Sequence, residues 1–381
     1  MRRVFNEKKV MISITIMLAF FLLVPPVHAT LNFSYKPQSF AQIKKWTTLY
    51  YLDADYDCNN FDPLHSIFLD EINSTANVNV IVIQDREEES AFLYYIDENH
   101  TPIVLDELGE INMGDPATLS YFINYGKENY PANHYLLYVY DHGGGWKGAC
   151  MDTTDGGLIT MDGFQTALTQ SGGVDIIVFF ACLMASLETV YELRDCVDVV
   201  VGSEDLAYFS WWNGVCGETN ELLTASPDLS IIEISTQLVQ FFPEQPNMNL
   251  NKLTMSAIQT DKITTLIDAL DQLARYQTRH WLRSYRSVRI AHDSTFLLAD
   301  YQSWAPVFEV YDLKGYIQSL QSSPERTAAL EAFYDIIITE VHGSTMEETY
   351  GLSVFFPAKR SPYELVQLYK EDVYGLDFAA D

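Results

Sequence analysis

Basic residues are scarce in this chain of 381: Lys and Arg number 23 against 52 Asp and Glu, a formal net charge of −29. So acidic a surface repels a phosphate backbone, which excludes nucleic acid as a partner. Long apolar runs are scarce too. The exception, MISITIMLAFFLLV at 11–24, follows a basic start and precedes PPVHA, with small residues at Val27 and Ala29. Its fourteen residues fall short of the roughly twenty needed to cross a bilayer. Residues 1–29 therefore read as a secretory signal peptide cut before Thr30, which implies a secreted, periplasmic or extracellular product. Cleavage leaves 352 residues at a net charge of −32 and no stable membrane span.

Cysteine is sparse and odd in number: Cys58, Cys150, Cys182, Cys196 and Cys216. An odd count leaves at least one thiol without an intramolecular partner. The spacing fits neither a zinc site nor a disulfide framework. With Cys182 set aside, the other four allow three pairings or stay as isolated thiols, and isolated thiols are the simpler reading. None of the eight histidines has metal-ligand spacing such as HExxH. Low-complexity segments, repeats and Pro/Gly runs are absent as well, so nothing marks an internal linker. Hydrophobic residues make up 48% and aromatics 13%, enough for a large core and against disorder.

What is present alternates. Apolar strand-like runs at 46–55, 77–86, 134–143, 174–182 and 197–205 are separated by amphipathic stretches at 60–73, 113–128, 158–173 and 185–196. A hairpin addition is expected at 91–98. Asp115 and Pro116 have the N-cap and first-turn chemistry of a helix start. Strands apolar on both faces and alternating with helices predict a mostly parallel α/β sheet flanked by helices. The second half reads as helices near 229–242, 260–282 and 324–342 and a strand at 350–357. The expected division is a signal at 1–29, a lead-in at 30–45, a catalytic core at 46–225 and a mostly helical C-terminal addition at 226–381.

Two of the strands end in reactive side chains, YVYDHGGGW with His142 and VFFACLMASLE with Cys182. Ligands gather at the carboxyl ends of parallel strands, so a thiol and an imidazole delivered there can act as nucleophile and base. A helix expected directly after Cys182 would point its positive end at the sulfur and favour the thiolate. Asp141 is read as structural, because adjacent strand residues face opposite ways. His134 is read as structural, and the remaining histidines lie on a helix surface, in a turn or in the helical half.

These words, in order with WTTLYYLDADYD, NVNVIVIQDR, NMGDPATLSYFINY, GSEDLAYFSWWNG, LTMSAIQTDKITTLIDALDQLA and YGLSVFFP, resemble the clostripain family of cysteine endopeptidases, relatives of the caspases, legumains and gingipains. The resemblance implies a caspase-like fold, polypeptide substrates and a Cys182/His142 dyad working through a thioacyl-enzyme. It also implies an oxyanion hole from the N–H groups of Gly143 and Cys182, for which the glycine allows close approach. Self-processing is implied too, and Lys147 after HGGGW is the candidate cleavage site. No cofactor is needed for the chemistry. A structural or activating calcium ion is compatible with the resemblance, but Asp53, Asp55 and Asp57 lack the rest of an EF-hand, so no ligands are assigned.

One position departs from the family pattern. Members that cut after Arg or Lys have Asp two residues before the nucleophile, where this chain has Phe180. Glu204 or Asp205 would have to supply the charge for a basic P1 side chain, the first expectation. Alternatively Trp211 and Trp212 would build an apolar or cation–π pocket with Phe180. Two competing functions follow: a secreted binding protein on the same fold, or a peptide ligase that resolves the acyl-enzyme with an amine.

Overall fold

The computed structural model describes residues 42–55, 62–87, 89–212, 214–244, 249–298 and 310–356. The signal peptide, most of the lead-in, Asp57 and Cys58 lie outside the described residues.

Fourteen strands and nine helices are described. The strands are β1 (Lys44–Ala54), β2 (Val78–Arg86), β3 (Ala91–Ile96), β4 (Pro102–Gly109), β5 (Ala132–Tyr140), β6 (Ala149–Asp152), β7 (Gly157–Ile159), β8 (Val174–Phe180), β9 (Val197–Gly202), β10 (Thr254–Gln259), β11 (Leu297–Leu298), β12 (Val310–Asp312), β13 (Ile337–His342) and β14 (Ser353–Phe355). The helices are α1 (Pro116–Asn129), α2 (Met161–Gln170), α3 (Leu187–Leu193), α4 (Val215–Ala225), α5 (Ile231–Phe241), α6 (Ile263–Arg279), α7 (Trp281–Ser294), α8 (Leu313–Ser319) and α9 (Pro324–Ile336).

Nine strands form the central sheet in the order β13-β10-β9-β8-β5-β1-β2-β3-β4. The five from β9 to β2 run parallel, and antiparallel strands extend both sides. Two cores follow from the period-2 alternation of side chains. Leu49, Tyr51, Ile81, Ile83, Leu137, Val139, Ile177 and Phe179 point to one face and pack with residues of α1, α2, α3, α6 and α9. Tyr50, Leu52, Val80, Val82, Tyr138, Tyr140, Val178 and Phe180 point to the other and pack with α4, α5 and the π-helical turn Leu64–Phe68. Both faces are covered, which is why apolar residues occupy both sides of these strands.

Local signals set the helix starts. The Asp115 side chain accepts the Ala117 N–H with Pro116 behind it, and Ser230 and Glu233 form a reciprocal capping box for α5. The hairpin expected at 91–98 is β3 with β4.

Three expectations change. The helix expected over 60–73 is, among the described residues, only the π-helical turn Leu64–Phe68, held because the Leu64 N–H is taken by the Gln84 side chain. The helix expected over 324–342 stops at Ile336. Residues 337–342, IITEVH, turn into β13 and pair with β10, so β-branched residues followed the sheet edge open to them rather than the preceding helix. The region after 226 thus adds two strands to the central sheet as well as helices.

Candidate active site

β5 and β8 are parallel neighbours with Tyr140 opposite Phe180, the last pair in their register. His142 and Cys182 each follow two residues later, just past the ends of these adjacent strands. Beyond the strands the backbones stay in contact. A side-chain carbon on Gly143 would overlap the Cys182 carbonyl oxygen and sit 2.9 Å from the Cys182 nitrogen, so only glycine fits there.

The turn after His142 is closed by its own backbone. Gly144 N–H donates to the Gly148 carbonyl at 2.8 Å and Cys150 N–H donates to the His142 carbonyl at 3.2 Å. Gly143 lies opposite Ala149 between these bonds. A residue in such a position turns its own N–H away from its partner strand, which frees the Gly143 N–H for another acceptor. Two non-glycine residues take left-handed backbone beside the site: Cys150 (φ 62) and Leu183 (φ 66), the residue directly after Cys182. Such conformations cluster where surrounding structure over-determines a functional turn. Leu183 is held by its N–H to the Asp205 carbonyl, 3.0 Å.

The sulfur's described partner is Ala207. Its N–H donates to Cys182 Sγ at 3.3 Å, and its carbonyl accepts the thiol at 3.7 Å. The N–H suits a thiolate and the carbonyl a thiol, so the two contacts act in opposite directions. The expected helix start is not at the sulfur. α3 begins at Leu187 rather than directly after Cys182, because Ser186 caps it by accepting the Thr189 N–H. Residues 183–186 are used instead to dock the loop: Ala185 N–H donates to the Ser203 carbonyl, and Ser353 N–H of β14 donates to the Ala185 carbonyl, both at 2.9 Å. Phe355 N–H reaches the buried Glu188 carboxylate at 3.0 Å, and the Phe355 ring meets Trp146 of HGGGW at 5.4 Å. β14 therefore braces both loops.

His142 sits at the solvent-facing rim, and desolvation by the surrounding protein lowers its pKa. Burial thus favours the neutral imidazole, the form that can accept a proton. Asp141 is buried and its carboxylate accepts the Met151 N–H, which tethers β6 to the His142 loop. Its pKa is raised, first by burial. His134 is bonded to Asp175 at 2.8 Å, away from the site.

The expected specificity residues separate. Phe180 is 1% exposed, stacked on Trp212 at 4.0 Å and on Phe68 at 5.7 Å. Trp211 and Trp212 are fully buried in the same core. All three rings are buried in this core, Phe180 stacked on Trp212, where no substrate side chain reaches them, which corrects the aromatic-pocket expectation. Glu204 is corrected as well. It is 2% exposed, accepts the Gly351 N–H at 2.8 Å and faces Asp312, with burial and then Asp312 raising its pKa. Asp205 alone of the two acids remains half-buried beside the nucleophile, two residues before Ala207. Lys147 lies in the 3-10 turn Gly145–Lys147 with its ammonium 5.6 Å from the Trp146 ring centre. Cys150, Cys196 and Cys216 are buried thiols whose pKa values burial raises, that of Cys196 to about 12.

The sequence profile of the clostripain family matches residues 51–372. The chain belongs to the clostripain family. Clostripain of Hathewaya histolytica is 29% identical over 193 residues, 40% of this chain and 36% of that one, so the match spans about a third of the relative's length. A secreted C11 cysteine protease from Bacteroides thetaiotaomicron, solved with an irreversible peptide inhibitor, superposes with a TM-score of 0.68 at 18% identity, covering 88% of this chain and 98% of that one. An inactive zymogen C11 protease from Parabacteroides distasonis gives 0.65 at 19% identity, covering 88% and 100%. These likenesses establish the clostripain-family α/β fold. Among the described residues no helix is long and apolar enough to cross a membrane.

Proposed function

We propose that this clostripain-family chain is a secreted cysteine endopeptidase acting on polypeptides through Cys182 and His142. The observation that carries the reading is the placement of both residues two positions past the Tyr140–Phe180 pair, with Gly143 against the Cys182 backbone. In the cycle, His142 takes the Sγ proton and the thiolate attacks the scissile carbonyl carbon. The N–H groups of Gly143 and Cys182 receive the developing oxyanion. The imidazolium then protonates the leaving amine, the C–N bond breaks and a thioester remains. Water, giving its proton to His142, attacks the thioester, and the Cys182 sulfur leaves. A thiol-reactive peptide electrophile should label Cys182 stoichiometrically; a folded protein that resists labelling would mark a binding protein instead. Recovery of joined peptides in place of hydrolysis products would mark a ligase.

The P1 preference is proposed to be basic, with Asp205 as the carboxylate, since Phe180 is packed into the core. In a peptide-library profile, Asp205→Asn should lower cleavage after Arg and Lys by about tenfold or more while sparing apolar P1 residues, because a bound guanidinium would lose its counter-charge. An unchanged profile would remove Asp205 from the pocket.

Self-processing after Lys147 is proposed with a structural condition. Lys147 N–H donates to the Gly144 carbonyl and Gly148 N–H to the Gly145 carbonyl, so the bond lies in a closed turn. Gly148 has φ 121 and packs against the Ile159 backbone. A protease binds extended chain, so the turn must open first. Intact mass and N-terminal sequencing should show a slowly appearing terminus at Gly148 in wild type and none in Cys182→Ala. A fully active single chain, or equal nicking of both, would overturn it.

A further inference from the structure

Against the acidity of the whole chain, one stretch is basic. Residues 272–292 hold five of its eleven arginines and no Asp or Glu. They run through the end of α6, the junction at His280 and most of α7. α8, which packs on α7, adds Lys314 and no acid. Arg275 is held by Asp271 at 2.7 Å, and Arg289 lies 3.6 Å from Asp293. Among the described residues Arg279, Arg283 and Arg286 join no ion pair.

The same helix turns large apolar side chains to solvent. Ser284 and Ala291 are buried and Val288 packs on the core, which fixes the inner face of α7. On the outer face Leu282, Arg286 and Arg289 fall in one row, four and then three residues apart, with Arg283 and Ile290 beside them. Leu282 is 98% exposed, Trp281 and Ile290 53%, and Tyr285 49%. Trp281 and Tyr285, one turn apart, have ring centres 4.9 Å apart. A single exposed apolar residue is ordinary; four on one short helix, set among arginines, mark a contact surface.

We infer that the corner of α6 and α7 docks this chain on the surface of a bilayer that contains anionic lipid. Guanidinium groups pair with lipid phosphates through two parallel hydrogen bonds. Trp and Tyr sit well at the headgroup level, and Leu282, the most exposed apolar side chain of the corner, reaches the acyl boundary. An acidic polypeptide would satisfy the arginines and leave Leu282 and Trp281 in water, so the lipid surface is the better complement. The 14 residues of α7 lie along the surface, and among the described residues no helix is long and apolar enough to cross it. Salt screens charge beyond about 8 Å at physiological strength. The acids on other faces of the chain therefore weigh less than the nearby arginines, and they turn those faces away from the lipid.

The test reads binding on Cys182→Ala protein, expressed with its natural amino terminus and collected after export, so it does not depend on peptidase activity. It should float with vesicles of equimolar phosphatidylglycerol and phosphatidylcholine, release as salt rises, and ignore vesicles of phosphatidylcholine alone. Each arginine near an anionic surface is worth about fivefold in binding, so Arg279→Gln/Arg283→Gln/Arg286→Gln should bind about a hundredfold more weakly. Leu282→Ser should bind about tenfold more weakly through lost apolar burial. All three arginines and Leu282 are exposed, so circular dichroism and the thermal midpoint should match those of the parent. Parent protein that does not bind the anionic vesicles, or a triple variant that binds them equally, would overturn the assignment. So would parental affinity in Leu282→Ser, because contact would then stop at the phosphates. Capture of soluble polyglutamate without vesicle binding would give the face to an acidic polypeptide instead, a second copy of this chain included.

Discussion

Cys182→Ala is expected to lower peptide hydrolysis by on the order of 10⁴–10⁶, and His142→Ala by about 10²–10⁴, with the thermal midpoint of each close to wild type. The asymmetry follows from the roles. Removing the sulfur removes the bond-forming atom, while water or buffer partly replaces the base. Neither side chain is part of the packed cores, so neither substitution opens a large cavity. The double variant should be scarcely slower than Cys182→Ala, since the two groups act as a unit. Turnover by folded Cys182→Ala near the wild-type rate would refute the dyad.

Gly143→Ala is expected to be nearly as damaging although it removes no functional group. The added methyl must displace the Cys182 carbonyl, with which it would overlap, and so shifts the backbone that carries both the nucleophile and the oxyanion donors. Loss of one such donor is worth about 10²–10³ in rate. The loss should fall on kcat more than KM, because the interaction strengthens as charge develops on the substrate oxygen. Gly144→Ala is the control: its nearest neighbour would be 3.4 Å away at the Lys147 side chain, and activity should hardly change. Equal rates for both variants would show that the loop can yield, and that the tight approach at Gly143 has no catalytic importance.

The strands and the two reactive ends were legible because burial on both faces writes itself into composition. Runs such as VDIIVFF and NVNVIVI have no other use, and their order gives the parallel alternation directly. The pocket was not legible. Phe180 stood where a specificity acid was expected, yet nothing in FACLM tells that its ring is roofed by Trp212. Glu204 and Asp205 are adjacent in sequence and differ only in which way the chain turns after β9. One meets Gly351 and Asp312 from the far end of the chain, and the other stays near Cys182. Ala207 carries no chemistry in its side chain, so its contribution through main-chain N–H and carbonyl left no signal at all. Likewise Asp55 invited attention as part of an alternating triplet, but its carboxylate meets those of Asp85, Glu110 and Asp152, all within 4.8 Å, only through folding. Leu183 likewise looks like an ordinary core residue until its positive φ is seen.

The bracing of both reactive loops by β14 sets a clock. Ser353 and Phe355 hold Ala185, Glu188 and Trp146 in place, yet they are made long after Cys182. At about 5–20 residues per second, roughly ten to thirty seconds separate the emergence of Cys182 from that of Ser353. Throughout that interval the growing chain carries its thiol and imidazole without the strand that fixes their loops. A chain cut short before Ser353 is therefore expected to lack the bracing of both loops.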